Sequence, residues 1–328
     1  MKLKALLIND TNLVCHHGCS LLMHQIYKTL KENNILIKDT LYHENDFDNF
    51  KINHKINYDI ALINGEGTIH GSTNKVSQIL NLIRRLKKKN IPVIIFNSTI
   101  VDLNKRNINI LKLVNKIYVR ENESYKYLKK NKINSRVVPD FLSLLPMRIK
   151  KKKKFKTLII DSSVRSTTKK LLRFSKKEGF AYAPMLYTNK IKLLHYFFIK
   201  IFLILNIKIL TNIFIILKHK IAEKYKNTIQ QSKFLITGRF HSIFIALSSL
   251  TPFVTFESDT HKTKALLKDI GIEDRLISID QLNNIKTKNQ NFSKIEIKKI
   301  LKYKRLSKIS IKQSMGEIIK VSLKKYDK

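Results

Sequence analysis

Short apolar runs alternate with stretches of helical spacing over the first 140 residues. Leu3–Ile8 is a continuous apolar run, and Gly18–Asn33 follows with Leu21, Leu22, Ile26 and Leu30 on one helix face. Tyr58–Asn64 reads as a second buried strand ending at Gly65-Glu66-Gly67, and Val76–Lys89 as a helix with a basic far end. Pro92–Phe96 and Ile117–Arg120 read as strands, Asn122–Lys130 as a short helix, and Val137-Val138-Pro139-Asp140 closes the series. Strands that alternate with helices imply a parallel sheet covered on both faces.

Lys150–Lys154 breaks the pattern. Five adjacent like charges repel one another, which predicts a solvated linker. Alternation then restarts: strands at Leu158–Ile160, Phe180–Leu186, Phe234–Thr237 and Phe253–Phe256, helices at Thr167–Lys177, Ile221–Gln231 and Ser242–Leu250. A helix over Lys264–Ile270 stops at Gly271, and Ser293–Lys328 is a polar helical tail with an apolar stripe of Ile297, Ile300, Leu301 and Leu306. The expectation is an α/β protein of two Rossmann-like domains, 1–149 and 155–328, around a central cleft. Such a bilobal arrangement is GT-B-like, and the tail should pack back toward the first domain.

Lys190–Lys218 departs from the alternation. It is intensely apolar, yet Lys200, Asn206 and Lys208 interrupt it, and a spanning helix needs about 20 predominantly apolar residues. At ~100° per residue, Lys190, Lys200, Lys208, Thr211 and Lys218 fall within roughly 80° of one another. That pattern predicts an apolar helical insertion lying on an anionic membrane surface with its lysines at the headgroups; a pair of buried helices and, last, a true span are the alternatives.

Composition sharpens the partner class. Of 328 residues, 64 are Lys or Arg and 24 Asp or Glu, a net charge of +40 that attracts phosphorylated substrates, nucleic acid or anionic lipid. The lysines are dispersed and no basic–aromatic repeat appears, so no nucleic-acid partner is expected. Two cysteines make no disulfide framework, and Met1-Lys2-Leu3-Lys4 runs straight into a strand without a cleavage site. The expected location is cytoplasmic, peripheral on the inner face of the cell membrane.

The chemistry concentrates at Thr237-Gly238-Arg239-Phe240-His241-Ser242, where a buried strand passes into a helix, followed by Pro252 and His261-Lys262. Strand ends of this kind bind ligands in open α/β sheets, and a guanidinium fork beside an imidazole suits anion-dependent proton transfer. Cys15-His16-His17-Gly18-Cys19 carries zinc-type ligands, but all within one five-residue loop and with no second cluster in sequence, so no metal is expected. His16 or His17 projecting into a cleft is the other functional reading of that loop.

Several segments together resemble the polysaccharide pyruvyl transferase family: Leu7-Ile8-Asn9-Asp10-Thr11 with Gly18-Cys19, Asn64-Gly65-Glu66-Gly67-Thr68, Val119-Arg120-Glu121-Asn122-Glu123-Ser124, Val138-Pro139-Asp140, and Gly238-Arg239-Phe240-His241-Ser242 with Pro252 and Lys262. The departures are the glycine-poor first turn, the two loop histidines and the 190–218 insertion. The resemblance implies transfer of a pyruvyl group from phosphoenolpyruvate to a sugar of a capsule, lipopolysaccharide or other surface glycan. The acceptor is expected to be a glycan, polyprenyl-linked where the enzyme is membrane-bound. A GT-B glycosyltransferase using a nucleotide sugar is the alternative, and neither reading requires a cofactor. The catalytic residues so implied are His241 as general acid, Arg239 on the donor and Glu66 on an acceptor hydroxyl. Asn9, His16, His17, Gly18, Gly65, Gly67, Ser242 and Lys262 are the expected substrate contacts. Arg120 and Glu121 either join them or pair structurally, and Asp140 is a hinge or cap.

Overall fold

Two all-parallel sheets carry the fold. The computed structural model describes residues 2–323 apart from 54, 151, 187–196, 198–200, 202–206 and 288–290. The chain forms two compact units: Met1–Val14, Gln25–Phe141 and Ser307–Lys328 make the first, Cys15–His24 and Leu142–Leu306 the second.

In the first unit the strands are β1 (Leu3–Asp10), β2 (Ile35–Tyr42), β3 (Ile60–Glu66), β4 (Val93–Ser98), β5 (Lys116–Val119) and β6 (Arg136–Val137), in the order β2-β1-β3-β4-β5-β6. Every residue of β3 and β4 is buried, which is why both read as unbroken apolar runs. Leu7 of β1 lies beside Leu62, and Ile63 beside Ile95. Helix α1 (His17–Glu32) begins in the second unit and ends in the first. Helix α2 (Asn74–Lys88) turns Val76, Ile79, Leu80, Ile83 and Leu86 to the sheet, and the Thr73 hydroxyl caps it by accepting from the Val76 amide. Helices α3 (Lys105–Leu111) and α4 (Asn122–Lys130) complete the cover. Strand β2 and helix α3 escape the sequence pattern. The first is a half-exposed edge strand with only Ile35 and Leu41 buried, and the second is seven residues long.

In the second unit β7 (Phe155–Ser162), β8 (Ala181–Tyr182), β9 (Ser232–Gly238) and β10 (Phe253–Thr255) run in the order β10-β9-β7-β8. Helix α5 (Arg165–Glu178) stops at Gly179, φ 65°, and α8 (Lys262–Ile270) at Gly271, φ 81°. Between them lie α6 (Lys208–Gln230) and α7 (Phe240–Leu247). Two lysines of the run are tied down. The Lys153 ammonium donates to the Gln230 carbonyl and the Lys154 amide to that of Gln231, which leads the chain into β7.

Helix α9 (Lys294–Leu323) also passes from the second unit into the first. Its buried face is Ile300, Ile311, Met315 and Ile318, while Leu301 and Leu306 of the expected stripe are exposed. Within the first unit, Glu317 accepts from Arg136 and from the Tyr118 hydroxyl.

Of the Lys190–Lys218 segment, residues 190–196, 198–200 and 202–206 lie outside the described residues, Lys190 and Lys200 among them. Of the expected basic stripe Lys208 is exposed, and the other two described members correct it by turning inward. In α6, Thr211 and Lys218 are buried, whereas Ile209, Leu210, Ile213, Ile216 and Leu217 face solvent. The lysine stem is drawn inward, with the Lys218 ammonium 5.8 Å from the Phe214 ring. Among the described residues no helix is long and apolar enough to cross a membrane.

Candidate functional site

The chemistry of the second unit gathers where β7 and β9 end. Gly238 permits this: a Cβ there would lie 2.3 Å from the Ser162 Cβ, so only glycine allows the two strand ends to meet. Arg239 then sits at the N-cap of α7, and its Nε and Nη2 both donate to Asp161 Oδ2, the former at 3.0 Å. The other Asp161 oxygen accepts the Met185 amide at 2.7 Å, and the Met185 carbonyl accepts the His17 amide at 3.1 Å. One carboxylate therefore orients the guanidinium and ties down the strand segment that holds the histidine loop. A guanidinium has five donors, and a single carboxylate oxygen does not exhaust them.

His241, in the first turn of α7, meets that loop from the other side. The His16 and His241 rings stand edge to face, 5.4 Å between centroids. A Cβ on Gly18 would lie 2.5 Å from both Cβ and Nδ1 of His241, so this glycine is a seat for the imidazole. Burial, and then the charges of His241 and Arg239, hold His16 well below the usual histidine range. His17 stacks on Tyr225 at 4.6 Å, and burial with the nearby Lys218 charge lowers it to about 4. Lys262 opens α8 and donates to Asp259 at 2.7 Å. Burial acts against the ionised Asp259, but the Lys262 charge and its hydrogen bond prevail and hold it below the usual carboxylate range. Burial and the Asp161 charge push Tyr182 up to about 12.

The first unit carries a separate polar network at the carboxyl ends of β1, β3 and β4. Asn9, Glu66 and Asn97 all have left-handed backbone, with φ of 62°, 39° and 53°. Such strain in non-glycine residues collects at functional sites. Asn9 donates to the Asn64 carbonyl at 2.6 Å, Asn64 donates to Glu66 Oε1 at 3.0 Å, and the Thr11 hydroxyl donates to the same oxygen. Asn97 donates to Asn64 Oδ1 at 3.1 Å, and His43 Nδ1 lies 2.8 Å from Asn9 Oδ1. Asp10 sits below, with Tyr27 and Asn12 donating to it, and burial raises its carboxyl to about 6.

Several expected substrate contacts have partners within the protein. Arg120 forms a buried ion pair with Asp140 at 3.0 Å and donates to Thr99, which makes both charges part of the first unit's interior. Glu121 caps α4 by accepting from the Ser124 amide and hydroxyl. Ser242 is fully buried, its hydroxyl bonded to Thr237 and to the Arg239 carbonyl. Gly65 is needed for packing, since a Cβ there would meet the Ser98 hydroxyl at 2.1 Å. Gly67 lies in the turn that follows β3.

Arg239, His241, His16, His17, Gly18 and Lys262 thus belong to one constellation in the second unit, and Asn9 and Glu66 to the network of the first. Sequence reading missed Asp161, Tyr225, Asn64 and Asn97. Asp161 had a signal, a charge directly after the apolar run Leu158–Ile160. Tyr225 had none, because its role depends on His17 arriving from two hundred residues away.

The family model described as Polysaccharide pyruvyl transferase matches residues 16–260. That span includes Glu66, Asp161, Arg239 and His241 and excludes Asn9 and Lys262. Comparison with curated protein sequences finds no match. Among solved structures, a functionally uncharacterised protein from Klebsiella pneumoniae aligns with a TM-score of 0.54 at 13% identity, covering 84% of this chain and 92% of its own. The UDP-GlcNAc 2-epimerase of Methanocaldococcus jannaschii, solved with UDP-GlcNAc and UDP, aligns with a TM-score of 0.50 at 12% identity, covering 93% and 99%. At these identities the likeness speaks for the parallel α/β fold alone.

Proposed function

The chain belongs to the polysaccharide pyruvyl transferase family, and from this we propose that it moves a pyruvyl group from phosphoenolpyruvate onto a sugar diol of a surface glycan. The observation that carries the reading is Arg239, oriented by Asp161 at the N-cap of the helix whose first turn carries His241. In the reaction the enol methylene gains a proton and becomes a methyl group. Carbon 2 forms bonds to two sugar oxygens and loses its bond to the phosphate oxygen. Of the two hydroxyl protons released, one restores the acid and the other leaves with phosphate.

His241 supplies the first proton in this scheme, and general acid catalysis contributes about 10²–10⁴-fold. Arg239 holds the donor's carboxylate or phosphate with its remaining donors, a task lysine performs poorly because it lacks the planar fork. Lys262 offsets charge on the departing phosphate. Glu66, its carboxylate fixed by Thr11 and Asn64, is the candidate to orient an acceptor hydroxyl. The outward apolar face of α6 and the charge of +40 support attachment to an anionic membrane, where a lipid-linked acceptor would be concentrated.

The test is phosphate release from phosphoenolpyruvate with glycan acceptors. Arg239→Lys should raise the donor KM about tenfold or more, and His241→Ala should lower kcat by about 10²-fold or more. Full activity in both variants overturns the site. Binding of nucleotide sugars without turnover of phosphoenolpyruvate replaces the reaction with glycosyl transfer.

A further inference from the structure

We propose that His16, Cys19 and His241 form a binding site for a soft, four-coordinate divalent cation of the zinc class, and that the bound ion removes His241 from catalysis. The second clause rests on the function proposed above; the first stands on geometry. One ligand atom from each of the three side chains lies within 4.8 Å of the other two. Tetrahedral zinc, with bonds of about 2.0–2.3 Å, places its ligand atoms roughly 3.3–3.6 Å apart. Small side-chain rotations therefore close the site.

The ligands are positioned before any ion arrives. His16 is pinned by its antiparallel bridge to Leu186, and the next amide, that of His17, by the Met185 carbonyl. Cys19 lies in the first turn of α1, three residues on, and its amide donates to His16 Nδ1 at 3.1 Å. That bond sets the imidazole and the thiol on one side of the turn. It is also the bond exchanged for a metal bond if Nδ1 becomes the ligand. His241 comes from α7 and is held against Gly18. Two ligands from one turn and a third from a remote helix resolve the difficulty of a five-residue zinc loop.

Charge does not forbid the ion. Among the described residues, Arg239 and Lys262 act on His16 beside the two neighbouring histidines, and each is paired, to Asp161 and to Asp259 respectively. Zinc deprotonates a coordinating thiol outright, so the occupied site carries one net positive charge and releases a proton. Thiolate with imidazole selects zinc or copper over magnesium, calcium and manganese. Three protein ligands leave a fourth position open to water or an anion.

The experiment uses the full chain, stripped with chelator and titrated with zinc chloride against a chromophoric chelator. One equivalent should bind, magnesium should not compete, and Cys19→Ser or His16→Ala should each weaken binding at least about tenfold. Cobalt in place of zinc should show a thiolate-to-metal absorption band that Cys19→Ser abolishes. Circular dichroism and the melting midpoint confirm that each variant is folded. No stoichiometric zinc, or equal affinity in both variants, overturns the site. Zinc should also halt phosphate release from phosphoenolpyruvate until chelator is added; binding without inhibition overturns the second clause alone. Because binding is read without turnover, failure of the proposed reaction leaves this test intact.

Discussion

Gly18 is the residue at which a single methyl group tests the site. A Cβ at that position lies 2.5 Å from the His241 ring and cannot be accommodated without displacing it. The loop is anchored through His16 and His17, so the imidazole moves rather than the backbone. Gly18→Ala should therefore lower kcat by about tenfold or more while leaving donor KM within about twofold, since a misplacement near 1 Å costs up to 10²-fold. Unchanged kcat would show that His241 does not need its seat. Asp10 offers a second residue-scale test, through stability. Burial raises its folded value to about 6 from an ordinary 3.8, so the fold favours the protonated form. Between these values the folded state binds more protons than the unfolded, and stability falls as pH rises. At 1.36 kcal/mol per pH unit the loss approaches about 3 kcal/mol above pH 6. In Asp10→Asn this component of the slope should vanish from urea midpoints measured between pH 4 and 7. The same slope in both proteins would assign the titration elsewhere.

At the scale of the element, the first half of α6 leaves its aliphatic residues outside, while the second half buries Ala222, Tyr225 and Ile229. Thr211, Lys218 and Lys226 are buried, while Ile209, Ile213, Ile216 and Leu217 are about half exposed or more. Clustered exposed aliphatic residues normally mark an interaction surface, and the surrounding charge favours an anionic one. The protein should float with anionic liposomes and remain behind with neutral ones. Salt should weaken the attachment only in part, because apolar insertion persists when charge is screened. Replacing Ile209, Ile213 and Ile216 together by Ser should abolish flotation without lowering the melting midpoint, since none of the three is buried. Flotation that survives this replacement would place the membrane contact on another surface.

At the scale of the molecule, the parallel α/β class was legible because its buried strands announce themselves. The all-buried runs Ile60–Glu66 and Val93–Ser98 have no solvated face to interrupt them, and Gly179 and Gly271 stop helices by adopting backbone that other residues avoid. The Arg239–His241 pair was legible for a local reason as well: a strand end, a glycine and a helix start are adjacent in sequence. What tertiary structure alone decided was who meets whom. Arg120 was open between a cleft contact and a structural pair, and Asp140 read as a hinge or cap; twenty positions apart, the two close a buried ion pair. Asp161 became the partner of Arg239, and Cys19 a neighbour of His241, through pairings that no local pattern encodes. Lys218 turned inward because the environment of one helix face depends on what packs against it, not on helical angle. Periodicity is a property of consecutive residues and determined the elements; ion pairs, ligand sets and buried faces are properties of remote residues brought together, and only the fold determined those.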